Sequence, residues 1–195
     1  MSKSLPFTSP PGLLCSQLAE TCMLQRFMAE AVSLQELEPF LAEKPQAEGL
    51  VARILGVLRQ NNTQLSALLD PLHAGRHRLR EAGERLSAMF VGCLCKRRSR
   101  DLSAMLRDDY ALLNLVAMNY TILHTSGLAM RDLSIASLAL GHLQQVTAIL
   151  QEIVRLMASL VMHEISGPAS DPPVEVEQRA FANTQAAWRN SVSAA

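Results

Sequence analysis

At 195 residues and 49% apolar, the chain is long enough for one domain with a substantial core. Aromatic residues supply only 4%, so that core must come from Leu, Ala, Val, Ile and Met, a mix that favours helices packed on helices over sheets. Eighteen basic residues balance eighteen acidic ones, which argues against a nucleic-acid partner at the level of the whole chain.

The opening, "MSKSLPFTSPPGLL", carries one Lys, tandem prolines and no long apolar run. It does not read as a signal peptide, and the chain has no uninterrupted apolar window of about 18 residues for a membrane span. A cytoplasmic protein is expected, with residues 1–11 as a tail. The first helix should start after Gly12, because Leu14, Leu18, Cys22, Gln25, Met28, Ala29 and Val32 trace a stripe of period 3.6. Pro39 should kink or end it, and "AEKPQAEG" should form the turn. A second helix is expected from about residue 47 to Asp70-Pro71, with Gly75 as a stop signal.

The spacing predicts a long connection over residues 74–100. In it Leu79, Leu86, Met89, Phe90 and Leu94 recur at helical intervals, so it should contain a short helix. Half of the basic residues fall between Arg76 and Arg107, among them Lys96, Arg97, Arg98 and Arg100 of "KRRSR". This basic patch reads either as a solvated loop or as a surface for phosphate or an acidic partner.

Asp101 has the chemistry of an N-cap for a third helix, with a stripe of Leu102, Leu106, Tyr110, Leu113, Ala117, Tyr120 and His124 that ends at Ser126-Gly127. Asp132 should cap a fourth helix running to about Ile165. Its inner face should hold Ile135, Leu138, His142, Gln145, Val146, Ile149, Ile153, Leu156 and Leu160. Residues 166–195 then form a linker followed by a frayed tail or a short docking helix, with Phe181 and Trp188 seven residues apart. Residues 12–165 thus read as an all-α four-helix bundle. Short turns within each half and one long crossover between helices 2 and 3 are what a ferritin-like arrangement requires.

Among the motifs that carry chemistry, most are missing. There is no Gly-rich phosphate loop, no Gly-x-Ser-x-Gly and no Glu-x-x-His, and no catalytic residue is assigned. His73 and His77 straddle helix-breaking Gly75, which argues against a metal pair. Cys93 and Cys95 are spaced too tightly for a zinc knuckle. Cys15 and Cys22, seven apart, suit a helix face as reduced core thiols.

What stands out is polar residues midway along each helix. Gln25, Asn62, Asn114, His142 and Gln145 form a candidate buried polar cluster. Of the neighbours Asn61 and Asn62, which point about 100° apart, Asn62 is expected to face inward because it follows Leu58 and precedes Leu65 and Leu69. Amides both donate and accept, so such a set can satisfy itself without an ion.

These residues resemble a known family. "VLRQNNTQLSALLD" is similar to the helix-B pattern of the bacterial YciE/YciF-like proteins, a stress-associated branch of the ferritin-like superfamily. "SAMFVGCL" is similar to their crossover and "HLQQVTAILQEI" to their fourth helix. The likeness spans roughly residues 13–162, and it implies a ferritin-like bundle. Where that family keeps metal-binding acids, this chain has Arg59 and Gln60, Gln144 and Gln145, Leu113 and Asn114. The expectation is therefore a degenerate member without the di-iron ligands or a cofactor. It would act as a non-enzymatic structural or partner-binding protein linked to stress, a homodimer through a helix face. The first alternative is a metal-binding or oxidising bundle, using iron or another divalent metal, in which Glu20, Asp109 or Glu152 turns inward. The second is a helical small-molecule-binding regulator whose core pocket is lined by Met118, Met130 and Met157.

Overall fold

The computed structural model describes residues 10–69, 83, 101–166 and 174–193. Among them the regular structure is entirely α-helical, in six helices: α1 Pro10–Gln35, α2 Pro39–Ala42, α3 Pro45–Leu69, α4 Leu102–Ala129, α5 Leu133–Ser166 and α6 Val174–Ser193. The expected short crossover helix, the basic patch Lys96, Arg97, Arg98 and Arg100, both crossover histidines, Cys93 and Cys95 lie outside the described residues.

Three helices begin on proline, whose fixed φ suits the first helical position and whose missing N–H would go unused there. Pro39 thus starts a helix instead of ending one, and the turn between α1 and α3 holds the extra single-turn helix α2. Likewise α1 begins three residues and α3 two residues earlier than expected, because the apolar stripes register burial and not the proline that opens the helix. On α3, Leu50, Val51, Ile54, Leu55, Leu58, Leu65 and Leu69 are buried. Each such side chain contributes about 1.5–3 kcal/mol relative to exposure.

The α4–α5 connection differs from expectation at Gly127, which sits inside α4 and does not stop it. A Cβ there would lie 2.8 Å from the Ala136 backbone nitrogen and 3.1 Å from its Cα, so glycine is what lets α4 and α5 approach. The stop comes at Arg131, which adopts a left-handed φ of 60°. The Asp132 amide donates back to the Gly127 carbonyl at 2.9 Å, closing a Schellman-type end. Asp132 then caps α5: its Oδ1 accepts from the Ile135 amide at 3.1 Å and from the Ser134 hydroxyl at 2.6 Å. Those bonds, with the Ser134 hydroxyl first, hold its pKa below the ordinary carboxylate value. Asp101 occupies the corresponding position before α4, yet its side chain makes no capping bond.

Helix α1 packs on α3 and on α4, and α5 packs on α4 and on α3. Neighbours run antiparallel, as their paired residues show. Gln25 meets Tyr120 and Gln35 meets Asp109 across α1 and α4. Gln64 meets His142 and Arg53 meets Glu152 across α3 and α5. Ser103 meets Glu164, and His124 meets the Ala136 carbonyl, across α4 and α5. Helix α6 is a formed helix that docks on α5, where the Arg155 guanidinium lies 5.7 Å from the centre of the Phe181 ring.

By length and composition alone α5 is apolar enough to cross a membrane, with a mean hydropathy of 1.4 over its most apolar window. Of that window 39% is buried, and Ile135, Ala139, Val146, Ile149 and Ile153 face the other helices. A helix that buries one face in a protein core has the same length and composition. His142, Gln144 and Gln145 interrupt the apolar run.

Candidate functional site

Each of the four long helices contributes one fully enclosed polar side chain to a common centre: Gln25 from α1, Asn61 from α3, Tyr120 from α4 and His142 from α5. The Gln25 amide donates to the Tyr120 hydroxyl. The Tyr120 and His142 rings meet edge to face, with centroids 5.1 Å apart and planes at 73°. The Asn61 amide lies near the same hydroxyl and favours its ionised form, although neither amide atom of Asn61 has a hydrogen bond of normal geometry.

Polar groups at the rim extend the cluster. Gln64, on the exposed side of α3, accepts from the His142 Nε2–H at 2.6 Å. The Cys22 thiol donates to Asn62 Oδ1 at 3.0 Å and lies 3.3 Å from the Ser66 hydroxyl.

Burial keeps this centre electrically neutral. Desolvation pushes the Tyr120 hydroxyl well above its ordinary value, outweighing the Gln25 and Asn61 amides that act the other way. Desolvation also lowers His142 to about 4, so its imidazole is uncharged at neutral pH. With Nε2 as the donor to Gln64, Nδ1 is left as an acceptor, and it is buried without a partner.

The sequence-derived cluster is only partly brought together. Gln25 and His142 are buried at the centre, Asn62 is half-buried at its edge, and Asn114 and Gln145 are exposed. Asn114 bonds the Tyr110 carbonyl of its own helix. The expectation for α3 is reversed: Asn61, at 0% exposure, is the inward residue. The helix turns Asn62 toward Cys22 at the α1 seam, which the Leu58–Leu65 spacing alone does not distinguish. Tyr120 was legible only as a stripe residue. A tyrosine hydroxyl on an apolar stripe needs a buried partner, and that was the available signal.

A di-metal centre does not fit this donor set. Divalent iron or manganese is held by carboxylates with imidazole support, and here one imidazole stands among neutral amides and a protonated phenol. Of the three acids that a rearranged site could use, Glu20 is half-buried. Glu152 pairs with Arg53, both side chains about half exposed. Asp109 is fully buried but accepts from the Gln35 amide at 2.8 Å, ten residues along α1 from Gln25. Ten residues of helix are about 15 Å, so Asp109 belongs to a separate layer. Among the described residues no three or more His, Cys, Asp or Glu side chains come close enough to hold an ion.

Nor is the core a ligand pocket lined by the three methionines. Met118 is 58% exposed, Met130 packs at the α4 end, and Met157 borders a cavity that α4, α5 and α6 line, away from the polar centre. Compared with known proteins, the chain matches no family model, no curated protein and no solved structure.

Proposed function

We propose that this protein is a ferritin-like four-helix bundle, related to the YciE/YciF-like branch, that has exchanged a metal centre for a neutral polar one. Its role is then non-enzymatic, structural or partner-binding, in the cytoplasm and linked to stress. The connectivity supports the bundle: short turns join α1 to α3 and α4 to α5, while residues 70–101 separate the two hairpins. The observation that carries the function is the buried Gln25–Asn61–Tyr120–His142 centre, one polar side chain from each long core helix and no carboxylate among them.

A neutral set of this kind gives no charge to balance a divalent cation, but it ties all four helices to one register, as buried polar groups do in helical assemblies. Pairing of two copies through a helix face draws support from Met118 and Ile122, 58% and 44% exposed and one turn apart on α4. Elemental analysis of the purified protein is the test. Substoichiometric iron, manganese and zinc is the expected result, and one or two tightly held ions per chain would overturn the reading.

A further inference from the structure

The cavity that Met157 borders is a trough of about 430 Å³ bounded by α4, α5 and α6. Ile153, Met157 and Val161 form its floor, and Phe181, pinned by the Arg155 guanidinium, forms a wall. Along α5 the floor runs about 12 Å, eight residues at the helical rise. Its volume falls within the range of small-molecule sites, about 300–1,000 Å³. A docked protein would need roughly 800 Å² of buried surface on each side, far more than this trough offers.

The lining is almost wholly apolar, and on the α6 side Thr184 turns its hydroxyl onto the Ala180 carbonyl of its own helix. Arg107 is the only charged residue lining the trough among the described residues, and Tyr110, three positions on, shares its helix face. The Arg107 side chain is 72% exposed, and its guanidinium spends Nε and Nη2 on a single oxygen of Asp108, at 3.2 and 3.1 Å. A solvent-exposed pair of this kind is weak, and the guanidinium keeps further donors for an incoming anion.

We propose that the trough binds a single-chain anionic amphiphile, a medium-chain carboxylate, with its headgroup on Arg107 and Tyr110 and its chain over Met157, Val161 and Phe181. Charge selects the headgroup: the Arg107–Asp108 pair is exposed and weak, so a carboxylate can compete with Asp108 for the guanidinium, which a neutral or cationic ligand cannot do. Methionine at the floor adapts to an alkyl chain without a fixed shape. The site is separate from the polar centre and does not depend on whether that centre binds metal.

Calorimetric titration of the full-length protein with sodium dodecanoate, below its micellar concentration, tests the site. Saturable binding of one dodecanoate per chain is expected. Arg107→Gln should weaken dodecanoate by about tenfold and leave neutral dodecanol almost unchanged. Ala158→Phe, filling the trough from α5, should abolish binding of both. Arg107 is exposed, so its variant keeps the test decisive even if Ala158→Phe does not fold, which circular dichroism would reveal. Absence of saturable binding overturns the proposal. So does equal binding of dodecyltrimethylammonium, or Arg107→Gln weakening dodecanol as much as dodecanoate.

Discussion

Replacing Tyr120 with phenylalanine isolates the bond at the heart of the polar centre. The ring and its edge contact with His142 stay in place, and only the hydroxyl is lost. Among the described residues the Gln25 amide then has no partner left: its nitrogen donates to Tyr120 alone and its Oε1 accepts no bond, at 0% exposure. An intact hydrogen bond contributes about 0.5–1.5 kcal/mol net, but orphaning a buried amide costs about 1–3 kcal/mol, so the second figure governs. Burial keeps the hydroxyl protonated through neutral pH, and the loss should therefore not vary between pH 6 and 9.

Urea unfolding measures it as a lowered midpoint at unchanged slope. Adding Gln25→Leu removes the stranded amide, so the double variant should recover much of the loss and the cycle should show coupling of roughly 1–2 kcal/mol. A Tyr120→Phe protein within about 0.5 kcal/mol of wild type, or strictly additive variants, would refute the reasoning.

Three further outcomes follow from the same geometry. His142 titrates at about 4 when folded and near 6.5 when unfolded, so the unfolded chain binds the extra proton between those values. Its contribution is complete above pH 6.5 and falls toward pH 4, by at most about 1.4 kcal/mol per pH unit, and His142→Gln should flatten that part of the stability profile. Gly127→Ala should destabilise by about 1–3 kcal/mol despite alanine's better helix propensity, since its methyl meets the Ala136 backbone; a gain in melting temperature would contradict this. Arg131→Gly should stabilise by about 1 kcal/mol, read as a rise of roughly 2–4 °C in Tm, because glycine adopts φ of 60° without the Cβ penalty.

Periodicity located four of the long helices, because a helix that buries one face must repeat its apolar residues every three or four positions, and the chemistry of an N-cap residue located Asp132. It said less about the ends. Pro10 and Pro45 open helices ahead of the first stripe residue, and Gly127 is used for close approach inside α4. Local chemistry allows a glycine both roles, and only the position of Ala136 chooses between them.

The centre shows the same division. That polar residues recur midway along each helix is a property of the sequence, as is their lack of carboxylates. Which of them meet is not: Asn61 and Asn62 differ by one residue and about 100° of rotation, and Gln145 lies three positions beyond His142 yet points to solvent. Rotation about each helix axis is set by packing against its neighbours, and it decides whether a side chain faces Tyr120 or water. Composition and spacing thus determined an all-helical chain with amides in its core, while the mutual rotation of α1, α3, α4 and α5 decided which residues form the polar centre.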